Sequence, residues 1–324
     1  MDSAILFPGQ GAQKSGMGRL AAERDKKIMD LWKKAERISR LPLRGIYWEN
    51  DGPETARTIN VQPALTTVNL ALWMRAADKI RPAAAAGHSL GEFSAVAAAG
   101  VLSFEQVLEL VSQRGRIMQA ADGEGKGAMA AILKLDRTQA EACTAEAART
   151  TGETLVIANY NSPEQFVAAG TRAAVAALQG IVREKKGRAL PLAVTGAFHS
   201  PLMREAAAEF ARVLDATDKK SWSTARFPVY CNADPIPLSD PERIRELMKR
   251  QISSPVYWTD CIRRQWDAGC RSFIEFGPGA VLSRMIGPIL AEHTGASGQD
   301  AGAGNPPWKS ATVSEPEDMP DSMR

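Results

Sequence analysis

The pentapeptide Gly-His-Ser-Leu-Gly at residues 87–91 limits the fold of this chain more than any other feature. The small apolar run 83–86 before it is typical of a buried strand, and the stretch after it has the pattern of a helix that stops at Gly100. A G-x-S-x-G sequence between a strand and a helix predicts a sharp turn that exposes the serine hydroxyl. Ser89 is therefore a candidate nucleophile, although the bare pattern also arises by chance in a chain rich in alanine and glycine.

A serine nucleophile requires a general base, and the chain contains only three histidines that could supply one. His88 is adjacent to Ser89, so its side chain should leave the turn in another direction, and His293 borders a glycine-rich tract. His199, which follows a predicted strand, remains. A lone histidine is more often a core or surface residue with satisfied hydrogen bonds, but elimination makes His199 the candidate base.

Length and composition place the chain among ordinary globular proteins with about two structural units. Of its 324 residues, 44% are hydrophobic and 24% charged, and the net charge of +3 is too near balance to indicate binding to nucleic acid or to a membrane surface. The four cysteines lie 88, 30 and 9 residues apart, which matches no metal or redox motif and predicts a reduced, cytoplasmic chain. No signal segment or membrane span is predicted.

The order of predicted elements indicates an α/β protein that is interrupted by a smaller unit. The chain opens with a strand, a loop and a helix over 17–38, and a later helix has Pro63 in its first turn. After a glycine-rich stretch at 122–127, residues 128–194 follow the order βαββαβ, which is the ferredoxin-like pattern. An inserted small domain of about 70 residues is the economical interpretation.

The α/β pattern resumes after the small domain. A helix is predicted over 201–214 and a strand over 229–232. Residues 294–307 are rich in glycine, alanine and polar residues, which is typical of a flexible tract, and whether 310–313 adds a strand is left open.

The loop at 9–13 and Arg114 are weaker candidates for functional residues. The loop Gly-Gln-Gly-Ala-Gln at 9–13 fails the phosphate-binding patterns, because Lys14 stands where a dinucleotide loop needs glycine and Gln13 where a P-loop needs it. Either this loop is a plain strand-to-helix turn, or its backbone N–H completes an oxyanion hole with that of Leu90. Arg114, on a predicted helix, is either a solvated side chain or a fork that receives a substrate carboxylate.

Six short blocks follow one another in order along residues 3–290. They are Phe7-Pro8-Gly9-Gln10-Gly11, Gln62-Pro63-Ala64, Gly87-His88-Ser89-Leu90-Gly91-Glu92, Gln113-Arg114-Gly115, Gly196-Ala197-Phe198-His199-Ser200 and Glu275-Phe276-Gly277-Pro278-Gly279. Together they resemble the malonyl-CoA:acyl carrier protein transacylases, whose family includes the acyltransferase domains of polyketide synthases. The resemblance implies an α/β-hydrolase-like large domain at 1–125 and 196–294 with an inserted ferredoxin-like small domain at 126–195. Residues 295–324 are then a flexible loop and C-terminal tail.

The resemblance also implies catalytic roles. Ser89 would take up the malonyl group as an ester, and His199 would act first as base and then as acid. Gln251 matches the family position whose backbone carbonyl orients the histidine. A Ser-His dyad without an aspartate is therefore expected.

Substrate contacts are implied in the same way. Gln10 and Leu90 would donate backbone N–H groups to the oxyanion, and Arg114 would hold the malonyl carboxylate. Arginine would select against acetyl substrates because they leave its buried donors unpaired. Phe198 resembles the bulky residue of malonyl-selective members, which fills the space that a methyl branch would require.

The implied partners are malonyl-CoA and an acyl carrier protein, both of which are anionic. The basic residues Arg183, Lys185, Lys186 and Arg188, at the end of the small domain's second helix, are either a solvated face or a docking site for the carrier. No cofactor, metal, nucleic acid or membrane is expected, and a cytoplasmic monomer that serves fatty-acid synthesis is the predicted form. The alternatives are polyketide synthesis, a serine thioesterase or esterase, and a carrier-binding subunit without turnover.

Overall fold

The computed structural model of the protein describes residues 2–121, 125, 127–194, 196–295 and 307–315. In these residues, helices and two β-sheets form a mixed α/β structure. The strands are β1 (Asp2–Phe7), β2 (Pro82–Gly87), β3 (Gly127–Leu133), β4 (Leu155–Ser162), β5 (Gln165–Thr171), β6 (Arg188–Pro191), β7 (Val229–Cys231), β8 (Asp234–Leu238), β9 (Cys270–Phe276) and β10 (Lys309–Val313). The α-helices are α1 (Arg19–Arg24), α2 (Lys26–Ser39), α3 (Leu43–Trp48), α4 (Thr58–Ala76), α5 (Gly91–Ala98), α6 (Phe104–Ala120), α7 (Arg137–Thr151), α8 (Arg172–Glu184), α9 (Arg204–Asp215), α10 (Pro241–Arg250), α11 (Trp258–Asp267) and α12 (Ser283–Thr294).

The larger sheet has the strand order β10-β9-β1-β2-β7-β8. Its strands pair in parallel except for β7 and β8, which are antiparallel. Because parallel strands end at the same edge of a sheet, the segments that follow β1, β2 and β7 come together there. These segments begin at Pro8, His88 and Asn232. The fold therefore gathers the loop at 9–13 and the Ser89 turn at one edge.

Helix α6 packs closely against α4, which is buried along most of its length. A Cβ at Gly115 of α6 would lie 3.3 Å from both Gln62 Cβ and the Thr58 carbonyl oxygen, so a larger residue would push the two helices apart. This close approach brings Arg114 within hydrogen-bonding distance of Gln62.

The smaller sheet has the antiparallel order β4-β5-β3-β6, and its elements follow the chain order β3, α7, β4, β5, α8, β6. Side chains of a strand alternate between the two faces. Ala130 and Ile132 of β3 therefore pack with α7 and α8, whereas Met129 joins the core of the larger unit. One face of the smaller sheet is covered by its own helices, and the other packs against the larger unit.

A short stretch of backbone connects the two units. Val256 donates its N–H to the Ala158 carbonyl at 2.8 Å, and its own carbonyl accepts from Tyr160 N–H at 2.9 Å. The Thr259 hydroxyl adds a bond to the Tyr160 carbonyl at 3.1 Å. Strand β4 is therefore fixed to the segment just before α11.

Two helix predictions for the N-terminal half need correction. The helix predicted over 17–38 is two helices, because Asp25 is extended and accepts a hydrogen bond from Lys27 N–H as the N-cap of α2. Pro63 lies inside α4 rather than in its first turn, since α4 begins at Thr58. Helix α3 was not predicted.

Two strands in the C-terminal half also depart from the sequence analysis. The strand predicted over 229–232 is shorter and turns back into β8, which contains Pro235 and Pro237 and was missed; proline is tolerated there because β8 is an edge strand. The prediction that all of 295–324 is a flexible loop and tail is wrong at Lys309–Val313, which pairs with β9 as β10.

Parts of three other predictions fall outside the described residues. They are the proposed domain boundaries near 122–126 and at 195, and the loop and tail at 296–306 and 316–324. Of the helices that the structure describes, none combines the length and apolar character needed to cross a bilayer.

Candidate active site

Ser89 lies in a strained turn between β2 and α5. Its backbone has φ of 49°, in the left-handed region that a side chain disfavours. The turn packs so tightly that a Cβ at Gly87 would collide with the backbone of Gly91, and one at Gly91 would collide with the Phe7 carbonyl. The two glycines of the motif therefore allow the nucleophile turn to lie against the end of β1.

His199 is the histidine that contacts Ser89. Its Nε2 lies 2.7 Å from Ser89 Oγ, and its Nδ1 lies 3.0 Å from the Gln251 carbonyl oxygen and 3.1 Å from that of Ser254. Two carbonyl acceptors require the proton on Nδ1, so Nε2 is left to accept the serine proton. Burial, reinforced by the charge of Arg114, lowers the pKa of His199 to about 3, which keeps the ring neutral.

The other two histidines have different partners. His88 is buried, with Nε2 2.8 Å from Asn161 Oδ1, and burial lowers its pKa. His293 Nε2 lies 2.7 Å from Asp267 Oδ1, away from Ser89. Of the three histidines, His199 is therefore the one that the structure places against the Ser89 hydroxyl.

Arg114 lies beside the nucleophile, although it comes from the middle of α6. Only 1% of its surface is exposed. Its two terminal nitrogens donate to Gln62 Oε1 at 3.0 Å, to Gln251 Oε1 at 2.9 Å and to Ser89 Oγ at 3.3 Å, while Nε has no partner among the described residues. Burial lowers the pKa of Arg114 to about 10, opposed by the nearby Glu92, so the guanidinium keeps its charge at neutral pH. A buried cation with a spare donor is suited to receive an anion.

Gln251 contacts all three of these residues. Its carbonyl faces His199, its side-chain oxygen accepts from Arg114, and its Nε2 donates to the Ser89 carbonyl at 2.9 Å. The resemblance singled out only its backbone carbonyl. The side-chain contacts were not foreseen.

Glu92 and Asn232 are buried polar residues to which the sequence analysis gave no role. Asn232 Oδ1 accepts from Ser89 N–H at 2.6 Å, and Glu92 Oε2 accepts from Asn232 N–H at 2.6 Å. Burial raises the pKa of Glu92 to about 7, opposed by the Asn232 N–H and by the charge of Arg114. Asn232 directly follows β7, and a polar residue at the carboxyl end of a parallel strand is the signal that could have identified it.

The expected oxyanion donors come from two segments, Leu90 from the Ser89 turn and Gln10 from the loop that follows β1. Leu90 precedes α5, so its N–H is one of the free groups at a helix N-terminus. Among the described residues neither this N–H nor that of Gln10 has a hydrogen-bond partner. The Gln10 side chain donates to Thr58 Oγ1 at 3.1 Å, which fixes its loop. Both residues line the cleft that contains Ser89.

That cleft has a volume of about 270 Å³ and runs between the two sheets. The larger unit contributes Ser89, Arg114, His199 and the buried Phe198. The smaller sheet and the segment after it contribute Met129, Ala131, Asn159, Asn161, Gln165, Val167, Leu192 and Val194. In the part of the chain that the structure describes, His, Cys, Asp and Glu residues form no cluster able to hold a metal ion.

The basic cluster, made up of Arg183, Lys185, Lys186 and Arg188, lies outside the cleft. All four side chains are exposed, from the last turn of α8 to the start of β6. No carboxylate of the described residues forms an ion pair with them. Strand β6 leads directly from this cluster to Leu192 and Val194 at the cleft.

Comparison with known proteins gives a uniform result. The acyl transferase domain family matches residues 5–301. A malonyl CoA-acyl carrier protein transacylase of Bacillus subtilis is 38% identical over 285 residues, which cover 87% of this chain and 89% of the relative.

Solved structures similar to this chain also include malonyl transferases. An acyl carrier protein S-malonyltransferase from Vibrio cholerae superposes with a TM-score of 0.88 at 33% identity, covering 98% of this chain and 99% of the other. A malonyl-transacylase in complex with its type II PKS acyl-carrier protein gives a TM-score of 0.87 at 32% identity, covering 97% and 96%. The chain therefore belongs to the acyl transferase family, among the malonyl-CoA:acyl carrier protein transacylases.

Proposed function

We propose that this protein transfers the malonyl group from malonyl-CoA to the phosphopantetheine thiol of an acyl carrier protein, through a malonyl ester on Ser89, and so supplies fatty-acid synthesis. The observation that carries the proposal is that one oxygen, Ser89 Oγ, lies 2.7 Å from a neutral histidine and 3.3 Å from a buried arginine. The first contact supplies a base and the second an anion receptor, and the names of the relatives give the substrates.

In the first half-reaction, His199 Nε2 takes the proton of Ser89 Oγ as this oxygen attacks the thioester carbonyl. The tetrahedral oxyanion is held by the backbone N–H groups of Leu90 and Gln10. When the C–S bond breaks, the coenzyme A sulfur takes the proton from Nε2, and the malonyl group remains on Ser89.

The second half-reaction repeats these steps in reverse. The thiol of the carrier protein gives its proton to His199 Nε2 and attacks the ester carbonyl. The C–O bond to Ser89 breaks, and Ser89 Oγ recovers the proton from Nε2. The imidazolium that forms each time is oriented by the carbonyls of Gln251 and Ser254.

Arg114 holds the malonyl carboxylate in both steps. In a malonyl ester on Ser89, the carboxylate carbon is three bonds from Ser89 Oγ, so the carboxylate is within reach of the Arg114 guanidinium, which already contacts this oxygen. An acetyl group cannot use this buried charge, so transfer of acetyl is disfavoured. Phe198, buried beside His199, restricts the room for a methyl branch.

The domain organisation that we propose is an α/β-hydrolase-like large domain, at 1–125 and 196–294, with a ferredoxin-like insert at 126–195. The antiparallel order β4-β5-β3-β6 with both helices on one face supports the insert, and the parallel strands with a nucleophile turn after β2 support the large domain. In this organisation, catalysis takes place in the cleft between the two units, and the proposed carrier-docking residues lie outside it on the small domain.

The exposed basic cluster defined above is proposed as the docking site for the acidic carrier protein, because its charges are unpaired among the described residues and adjoin the strand that leads to the cleft. The steps written above balance without a cofactor, and residues of one chain carry them, so the enzyme is proposed to act as a cofactor-free monomer. The four cysteines are free and buried, which supports a reducing, cytoplasmic setting.

Time-resolved transfer from malonyl-CoA to carrier protein tests the proposal, with acetyl-CoA and methylmalonyl-CoA in parallel reactions. We expect malonyl-carrier to accumulate in step with loss of malonyl-CoA, and the other two donors to react at least tenfold more slowly. Release of free malonate without carrier loading would instead identify a thioesterase.

A further inference from the structure

We propose that Asn232, fixed by Glu92, is a positioning residue that holds the nucleophile turn in its reactive conformation. The proposal rests on the function proposed above and adds two residues to it. Neither side chain contacts Ser89 Oγ, so both act through the backbone of the turn.

The turn requires such support because its conformation is unfavourable. A residue with a side chain at φ of 49° costs on the order of 1 kcal/mol or more, and the surrounding structure must hold it there. The Asn232 amide bridges the turn from both sides: Oδ1 accepts from Ser89 N–H at 2.6 Å, and Nδ2 donates to the Gly87 carbonyl at 2.7 Å. Only a side chain with an acceptor and a donor in this arrangement can make both bonds.

Asn232 is itself held in place by its neighbours. It is fully buried at the end of β7, and its backbone carbonyl accepts from Tyr257 N–H at 3.1 Å. Its N–H donates to Glu92 Oε2 at 2.6 Å. Glu92 is in the first turn of α5, three residues after Ser89, so the contacts close a ring from Ser89 to Asn232 to Glu92 and back along the chain.

This ring has a consequence for the reaction. Because the Ser89 N–H is already bonded to Asn232, the next N–H, that of Leu90, is the one left at the helix end for an oxyanion. The ring also fixes the Cα of Ser89, from which the hydroxyl reaches His199. Loosening it misplaces Oγ and Leu90 N–H together, which lowers the rate of acyl transfer rather than substrate affinity.

The variant Asn232→Asp tests this with a pH-dependent readout. An ionised aspartate keeps an acceptor for Ser89 N–H but places an oxygen without a proton against the Gly87 carbonyl, whereas a protonated aspartate restores the donor. Burial beside Glu92 favours protonation of the new carboxyl as the pH falls. The rate of Ser89 malonylation in a single turnover, divided by the wild-type rate at the same pH, should therefore rise at least tenfold from pH 8.5 to 6.0.

Other charged or titratable groups adjoin the pair and are the same in every variant. They are Arg114 on α6, Cys231 on β7, Asp234 on β8 and Cys261 on α11. Burial raises the pKa of both thiols, so they stay neutral over this range. Glu92 is also present in the wild type, whose rate is the divisor at each pH.

Asn60→Asp is the matched control. Asn60 is an equally buried asparagine on α4, and its Nδ2 donates to the Glu54 carbonyl at 2.9 Å, so the same chemical change is made outside the turn. Its ratio should stay flat with pH. Asn232→Ser, which is small and uncharged, should lower the transfer kcat about 100-fold while KM for malonyl-CoA changes less than twofold.

The outcomes separate the two proposals. If the wild type acquires no malonyl group on Ser89, the proposed function fails whatever the variants do. If the wild type is labelled, a flat ratio for Asn232→Asp, or a loss of less than threefold for folded Asn232→Ser, overturns the positioning role. A rising ratio for Asn232→Asp with a flat one for Asn60→Asp supports it.

Discussion

The two walls of the cleft are built in different ways. On the large-sheet wall, formed by Ser89, Arg114 and His199, every side chain already has at least two polar contacts. On the small-sheet wall, Asn159 and Gln165 line the cleft, yet their side chains form no hydrogen bond with another described residue. The side chains of the large-sheet wall are therefore held in place before substrate binds, whereas Asn159 and Gln165 have donors and acceptors that remain available to a substrate. We infer that the large-sheet wall carries out the chemistry and holds the malonyl carboxylate, and that the small-sheet wall contacts the rest of the substrate.

Removing the base from the large-sheet wall should have the largest effect. We expect His199→Ala to lower kcat about 10³- to 10⁴-fold, because no other histidine reaches Ser89 Oγ and a general base of this kind contributes on that scale. Stopped-flow malonylation measures the loss, and His293→Ala, at the surface, is the control. A decrease of less than tenfold for His199→Ala would mean that another group takes the proton.

The next largest change concerns selection by Arg114. We expect Arg114→Ala to reduce the preference for malonyl-CoA over acetyl-CoA about 100-fold, with some acetyl transfer retained, because the buried charge is the group that distinguishes the two. The measurement is the ratio of kcat/KM values for the two donors. An unchanged preference in a folded variant contradicts the carboxylate role.

The pH profile tests the electrostatics of the same wall. A histidine of ordinary pKa would lose its neutral form about 30-fold between neutral pH and pH 5, whereas burial lowers the pKa of His199 to about 3. The acylation rate should therefore not fall between pH 8 and 5 through protonation of His199. The test is made in the Glu92→Gln variant. Burial raises the pKa of Glu92 to about 7, so in the wild type its charge would change between pH 8 and 5 and could itself alter the rate. A fall in rate with a midpoint near pH 6.5 in that variant would contradict the lowered pKa of His199.

On the outer surface of the small unit, the prediction concerns the carrier protein. Reversing Arg183, Lys185, Lys186 and Arg188 to glutamate should raise KM for the carrier about tenfold and leave KM for malonyl-CoA unchanged, since these exposed charges lie outside the cleft. The wild-type KM should rise with salt and that of the variant should not. Equal changes for both substrates would reject carrier docking at this site.

The smallest effect is expected on the small-sheet wall itself. Gln165→Ala should raise KM for malonyl-CoA about threefold and leave kcat within twofold, because its side chain lines the cleft and forms no hydrogen bond with another described residue. A fall in kcat comparable to that of the large-sheet variants would abolish the division between the walls.

Sequence alone could identify the residues that are marked by a local pattern or by a scarce residue type. Ser89 was predicted from the pattern of its own neighbours, and His199 was selected because the chain has so few histidines. The burial of Arg114 was not predictable from its helix, since it depends on the glycine that lets α6 approach α4. Asn232 was missed because its bond to Ser89 spans 143 residues and exists only when β2 lies beside β7.

The fold shows the same limit. The order of strands and helices in the small unit follows from local patterns. Edge strand β8 was missed because its two prolines are unusual in a strand, and β10 was left open because its pairing with β9 depends on a partner more than 30 residues away. Local sequence patterns predict most of the helices and strands. The side chains that reach the site from distant elements, such as Asn232, could be identified only from the structure.

The acyl-enzyme at Ser89 is the intermediate on which both proposed half-reactions depend. Peptide mapping by mass spectrometry after brief mixing with malonyl-CoA, without carrier protein, measures it directly. We expect one malonyl group per chain, located on the peptide that contains Ser89 and discharged when carrier protein is added. A label on another residue, or none on an enzyme that still transfers malonyl groups, would contradict it.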